Sequence, residues 1–206
     1  DGRVAVRVEC ADPESGIDRV EFEVNGQPLT VLQDTGGEGW TALLPILQPG
    51  VYDVKARAVN GASLSSEASM SLNTVAELSA LAQLEDGSIV TITEAQPVVA
   101  VVDGDPTLKH RYVLIENSER TEGIRVVTDQ ASRGDRALVT GVLRTSSIAG
   151  TAQPERYLDA GPGSGGVTVL GPTGIPGVLA MANSSPSTLT AGLMVRLWGK
   201  VLSTGE

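Results

Sequence analysis

The chain has 206 residues, with 25 acidic against 15 basic side chains and a formal net charge of −10. A single Cys excludes an internal disulfide framework, and a single His excludes a multi-histidine metal site. No apolar run approaches the roughly 20 residues that span a bilayer, so we expect no membrane insertion. The acidic balance offers little to attract phosphate backbones.

Residues 1–73 consist of short segments in which apolar and polar side chains alternate. The alternation over residues 4–10 and 17–24 is typical of half-buried strands. Asn25-Gly26, which follows the second of them, is typical of a two-residue hairpin turn. Further strands are predicted at residues 27–32, 40–44, 51–59 and 68–72. Strands at this spacing predict a β-sandwich.

Three segments of this first half carry a family resemblance: ADPESGI at residues 11–17, VEFEVNG at 20–26 and PGVYDVKARA at 49–58. They resemble bacterial extracellular Ig-like domains. The resemblance implies an Ig-like sandwich over about residues 1–73. It also implies a secreted or cell-surface location and a role as a spacer or interaction module.

The second half begins with a capping-box pattern, in which Thr74 would be the N-cap and Glu77 the third helical residue. The pattern predicts one short helix at residues 75–83. Strands are predicted at residues 88–95, 98–102, 111–117, 123–127, 136–144 and 155–160. The Gly- and Pro-rich stretch 161–186 predicts a long loop. The strand-like run at 190–201 would either pack on the same barrel, which we favour, or begin a second one.

The second half also carries a resemblance, in LEDG at residues 84–87, YVLI at 112–115, GIRV at 123–126 and VTGVL at 139–143. These segments resemble the OB-fold of secreted bacterial proteins over about residues 84–160. The resulting prediction is an all-β chain of two domains, an Ig-like β-sandwich at 1–73 and an OB-fold-like barrel with a short leading helix at 74–206.

A small ligand-binding surface is predicted on the barrel strands. If Val113 points into the barrel, Tyr112 faces outward, and Arg125 does so if its neighbours point inward. Together with Arg144 and Arg156 these residues would form a small ligand surface. The plainer interpretation, an exposed strand face with solvated arginines, stays open at this point.

The remaining candidates point to no catalytic, metal or cofactor site. His110 has no partner that the sequence places beside it, and Cys10 is in phase with core valines. The acidic turn at residues 12–18 lacks the spacing of a calcium loop. The Gly-rich segment 161–166 lacks the Lys-Ser/Thr of a phosphate-binding loop. We therefore expect no cofactor, no metal and no enzymatic activity.

Three hypotheses on function follow. The first is a non-catalytic binding, adhesion or spacer module, a fragment of a larger secreted or surface protein, with a glycan or a protein as partner. The second is a single-stranded nucleic-acid-binding OB module accessory to an exported nuclease. Charge opposes it, because residues 1–73 carry 5 basic and 11 acidic side chains (−6) and residues 74–206 carry 10 and 14 (−4). The third is an enzyme with its site in the 161–186 loop.

Overall fold

The computed structural model describes residues 4–33, 39–45, 48–103, 111–147, 154–172, 174, 179–182 and 195–198. These residues are almost all in strands, with one short 3-10 helix, so the predicted all-β class is confirmed. The chain forms two compact units. The sandwich unit comprises Asp1–Ala76 with Ser88–Thr93, and the barrel unit comprises Glu77–Gly87 with Glu94–Glu206. Residues 88–93, which the sequence assigns to the second domain, thus belong to the first unit.

The described part of the sandwich unit contains eight strands: β1 (Val4–Glu9), β2 (Ile17–Val24), β3 (Gln27–Leu29), β4 (Val31–Gln33), β5 (Gly39–Leu44), β6 (Gly50–Asn60), β7 (Ser65–Val75) and β8 (Ile89–Ile92). One sheet has the order β1-β5-β4, and the other has the order β3-β2-β6-β7-β8. All neighbours are antiparallel except β7 and β8.

The two sheets of this unit enclose one apolar core. Alternate residues of the strands meet there because successive side chains of a strand point to opposite faces. The buried members are Val6, Val20, Phe22, Trp40, Ala42, Leu44, Val54 and Leu72. The predicted hairpin is also confirmed: Asn25 and Gly26 have φ of 49° and 76°, as a type I′ turn requires.

In the barrel unit, the described residues form the 3-10 helix (Leu78–Gln83) and eight strands: β9 (Gln96–Val102), β10 (Tyr112–Glu116), β11 (Gly123–Val127), β12 (Asp135–Ser147), β13 (Pro154–Asp159), β14 (Gly166–Pro172), β15 (Leu179–Ala182) and β16 (Val195–Trp198). Five of them form a closed ring in the order β9-β10-β11-β13-β12, with β12 pairing back to β9. Only β11 and β13 are parallel within it. Fully buried side chains fill the ring: Val113, Ile115, Val126, Leu143 and Leu158.

The predicted capping box at Thr74 is wrong. Thr74 lies in β7, and its hydroxyl donates to the carbonyl oxygens of Gln48, at 2.6 Å, and Gly50, at 3.1 Å. The helix begins later, after Glu77, and no side chain caps it. The Thr74 hydroxyl is thus engaged with carbonyl oxygens of the chain just before and at the start of β6, and it caps no helix. No helix in the described ranges is long and apolar enough to cross a bilayer.

The predicted loop at 161–186 is wrong for at least two segments. Residues 166–172 form β14, which pairs antiparallel with β12, and residues 179–182 form β15. The predicted last strand corresponds to β16, whose partner is β15, in parallel register from Leu179↔Val195 to Ala182↔Trp198. Much of the rest of 183–206 lies outside the described residues.

Candidate functional site

The strand register brings three of the four predicted site residues to one face of the ring. Arg125 on β11 lies opposite Leu114 on β10 and opposite Tyr157 on β13. Tyr157 in turn lies opposite Arg144 on β12. Residues that pair across neighbouring strands share a face, and Val126 and Leu158 next to this row point into the ring. The row Leu114, Arg125, Tyr157 and Arg144 therefore lies on the outside of the barrel; we call it the outer row.

Arg125 faces outward as predicted, but the expectation that it is exposed is wrong. The residue is only 6% exposed. Its Nη2 lies 2.7 Å from Oε2 of Glu155, and its Cζ lies 5.2 Å from the centroid of the Tyr112 ring. A cation over an aromatic face is attracted by the ring quadrupole, and the Glu155 carboxylate balances its charge. Arg125 is thus a fixed, neutralised cation rather than a solvated one.

The two tyrosines beside Arg125 are partly accessible. Tyr112 and Tyr157 are both half-buried, and Arg144 is exposed at the end of the outer row. Tyr112 is a diagonal neighbour of Arg125 on the same face, since it pairs with Val127 two residues along β11. The outer face therefore presents two tyrosines on either side of a buried arginine, with one further arginine in solvent.

Arg156 does not belong to this surface. It alternates with Tyr157 along β13, so it lies on the opposite face of that strand. Its Nη1 donates to the carbonyl oxygen of Leu81 at 2.7 Å, and its Nη2 donates to that of Leu84 at 2.5 Å. These carbonyls lie at the end of the 3-10 helix and just beyond it. Arg156 is thus a structural clamp on the helix, which corrects its predicted place in the ligand surface.

Two residues of the face, Glu155 and Tyr157, were not predicted as site residues. The alternation of β13 carries the signal that would have found them, because Glu155 and Tyr157 share the face that Arg156 does not occupy. The pairing of β13 with β11, however, cannot be predicted from the local sequence pattern. That parallel contact sets Tyr157 beside Arg125, across more than 30 residues of chain.

The other candidates show structural roles within the described residues. The Cys10 thiol is partly buried, and this burial raises its pKa, which makes it a poorer nucleophile. In the Gly-rich segment after β13, Ser164 Oγ donates to Asp159 Oδ2 at 3.2 Å, and Gly161 N donates to Asp159 Oδ1 at 3.1 Å. Asp159 thus closes this turn. His110 lies outside the described residues.

Within the part of the chain that the structure describes, no three His, Cys, Asp or Glu side chains are placed to hold a metal ion together.

No protein-family model matches the chain, and no curated protein matches it. Among solved structures, the chain is similar to the crystal structure of a protein called putative peptidase M23 from Pseudomonas aeruginosa. The identity is 15%, and the match covers 84% of this chain and 82% of that one, with a TM-score of 0.23.

This match corrects the expectation that the chain is not an enzyme. The protein it matches carries the name of a peptidase, so the exclusion of enzymatic activity is withdrawn. At this identity and TM-score the likeness supports neither a fold nor an activity for the present chain.

Proposed function

We propose that the chain is an extracellular binding module that takes up an uncharged glycan on the outer face of its barrel. The observation that carries this proposal is the group formed by Tyr112, Arg125, Glu155 and Tyr157. Partly accessible tyrosine rings beside fixed polar groups offer a surface on which sugar rings stack and form hydrogen bonds. Aromatic anchors with a few fixed polar groups are also characteristic of ligand sites in general.

The strand order supports an OB-fold-like barrel as the framework of this site. A five-stranded closed ring with one parallel pair agrees with the Greek-key barrel of that fold, whose members bind oligosaccharides or oligonucleotides. The two facing sheets of the sandwich unit support an Ig-like domain in front of it. The two family resemblances support a secreted or cell-surface location.

Charge distribution favours a neutral sugar over a nucleic acid. Arg125 is held by Glu155, and Arg156 donates to two carbonyls on the other face of β13. Of the three predicted arginines, this leaves Arg144 as the exposed one. A single exposed guanidinium gives little counterion release on binding a phosphate backbone. The nucleic-acid alternative is therefore not favoured.

In this arrangement the two tyrosines contact the sugar and Arg125 is a positioning residue. Its guanidinium holds the Tyr112 ring through the cation–π contact and fixes the Glu155 carboxylate. The carboxylate oxygens of Glu155, whose side chain is 27% exposed, accept hydrogen bonds from sugar hydroxyls. Such a rigid arrangement reduces the entropy lost on binding.

A glycan array followed by calorimetry tests the proposal. We expect the intact chain to bind a neutral oligosaccharide, and Tyr157→Ala to lower the affinity by roughly ten-fold or more through loss of a stacking face. Tyr112→Phe, which keeps the ring, should retain most of the affinity, whereas Tyr112→Ala should not. Thr168→Ala, on exposed β14, is the matched control and should bind as the parent does.

Two results would contradict the proposal. One is the absence of any neutral glycan ligand on the array. The other is binding of single-stranded DNA near 50 mM salt, where electrostatic attraction is strong, with affinity that depends on Arg144. A protein ligand that binds through the same tyrosines, with no glycan involved, would also replace the glycan as the partner.

A further inference from the structure

In the sandwich unit, burial decreases along the inner face of the larger sheet toward β7. One inner row runs from Phe22 through Ala56 to Ala68, in paired register. Phe22 is 2% exposed, Ala56 is half-buried and Ala68 is exposed. In a β-sandwich the inner faces pack against each other. The first half of β7 therefore presents an inner face that no strand of the smaller sheet covers.

The next inner row shows the same change. It runs from Val20 through Ala58 to Ser66, and exposure rises in that order: Val20 is 4% exposed, Ala58 is half-buried and Ser66 is exposed. Among the described residues of this unit, the smaller sheet has three strands and the larger one contributes five. The smaller sheet is therefore too narrow to cover its partner.

Two strand edges adjoin this uncovered area. Among the described pairings, β1 pairs with β5 alone, and residues 65–71 of β7 pair with β6 alone. The N–H and C=O groups on such an edge are available to another strand. The end of β1 and the start of β7 are also close in space, because residues 10–14 and 64–66 line one groove.

A groove of about 540 Å³ lies between the end of β1 and the start of β7. Its walls include Cys10, Ile17, Ala58, Leu64 and Ser66. Leu64 is 69% exposed, so an apolar side chain already projects at the mouth. The small side chains of Ala58 and Ser66 leave room for bulky apolar groups. The groove could therefore accommodate the side chains that point inward from one added strand, which are every second residue of that strand.

Charge indicates which strand would fit. Asp12 and Glu14 line the groove, and the residues that line it include no basic side chain. Glu9, at the end of β1, is exposed, but its carboxylate is paired with Arg7 at 2.6 Å, so the acidic character of the groove comes from Asp12 and Glu14. A second copy of this chain, with a net charge of −10, would bring more negative charge to this rim. A strand that carries Lys or Arg would be attracted instead.

We propose that this groove is a docking site for an extended basic segment of a partner protein, which adds a strand to the free edge of β1. Its alternate bulky apolar residues cover Ala58, Ser66 and Ala68, and its basic residues meet the acidic rim. Strand addition of this kind takes affinity from main-chain hydrogen bonds and specificity from the pockets for alternate side chains.

The probe for this site is a synthetic peptide of sequence KVKLKVKL, with the same peptide carrying Glu for Lys as its charge control. We expect the basic peptide to bind roughly ten-fold or more tightly than the acidic one. When the peptide is bound, the backbone amides of β1 should exchange hydrogen with solvent more slowly, because the added strand occupies the free edge of β1.

Two variants locate the peptide on the chain. Ala68→Arg places a long cation on the inner face and should lower peptide affinity roughly ten-fold or more. Ser69→Arg places the same charge on the opposite face of β7 and should leave binding close to that of the parent. Both positions are exposed, so both variants should fold.

The proposal is overturned if both variants lower the affinity for the basic peptide equally, since the charge of the chain alone then explains binding. It is also overturned if amide protection falls outside β1 and β7, or if the acidic peptide binds as well as the basic one. Concentration-dependent dimerisation that Ala68→Arg abolishes would assign the face to a second copy and would likewise overturn it.

Discussion

Asn60 donates a hydrogen bond from its Nδ2 to Oδ2 of Asp12 at 2.7 Å, across 48 positions of sequence. The bond joins the turn after β1 to the turn after β6. Asp12 also accepts hydrogen bonds from the backbone of Glu14 and from the backbone and hydroxyl of Ser15. On the other side, Asn60 Oδ1 accepts from the backbone N–H of Leu64 at 2.7 Å. The pair organises both turns at this end of the sandwich.

The hydrogen bonds to Asp12, first that from Asn60, lower its pKa well below the ordinary value of about 3.9. A lowered pKa in the folded state gives stability that is fully present above the ordinary value. That stability is lost as pH falls toward the lowered pKa. We expect Asp12→Ala to lower the melting temperature at about pH 7. The difference in melting temperature between the variant and the parent should become smaller by about pH 3. A gap that stays constant over this range in thermal melts would contradict the assignment.

Arg156 is expected to stabilise the barrel unit through its two bonds to the carbonyls of Leu81 and Leu84. Arg156→Met keeps the apolar stem but leaves these acceptors without their charged donor, at a cost of about 2–3 kcal/mol. Urea unfolding measures the change. Arg144→Met, at an exposed position of β12, is the matched control and should change stability by less than about 0.5 kcal/mol. Equal effects from the two variants would argue against the clamp.

The Arg125–Glu155 pair is expected to show strong coupling. Arg125→Met leaves the partly buried Glu155 carboxylate without this cation and should cost about 2–4 kcal/mol, whereas the double variant with Glu155→Leu should cost less than the sum of the singles. A double-mutant cycle in urea measures the difference. Strict additivity would show that the 2.7 Å contact contributes nothing to stability.

Gly165 and Gly166 provide a test of how β14 approaches β12. A Cβ at Gly165 would overlap the carbonyl oxygen of Thr140, whereas a Cβ at Gly166 would meet nothing within 4 Å. Gly165→Ala should therefore destabilise the barrel by about 2 kcal/mol or more, through forced backbone movement. Gly166→Ala should change it by about 0.5 kcal/mol or less. If the two variants melt at the same temperature, the two strands are not this close.

The strands of the sandwich and the β10–β11 pair could be predicted from the sequence because the patterns that indicate them are local. Alternation at Val20 and Phe22, and the Asn25-Gly26 turn, determine structure within a few residues. The strand β14 was missed for the opposite reason. Its glycines and Pro172 resemble a loop, and only the pairing with β12 makes 166–172 a strand.

The candidate site could be predicted in part in the same way. Alternation predicted that Tyr112 and Arg125 face outward, but it carries no information on what lies beside an outward residue. The burial of Arg125 and its contact with Glu155 depend on the distant strand β13. The capping box at Thr74 failed for a similar reason, since its hydroxyl has partners at Gln48 and Gly50 that local sequence does not reveal.

The parallel pairing of β11 with β13 also constrains how the barrel folds. β13 lies between β11 and β12, so it enters a gap between two strands that precede it in the chain. The antiparallel β10–β11 pair can form from neighbouring residues, but the ring cannot close until residues 154–159 have been synthesised. Closure joins segments more than 30 residues apart, and such non-local pairing folds slowly. During synthesis the inner faces of β10 and β11 therefore remain open to solvent or chaperones until β13 arrives.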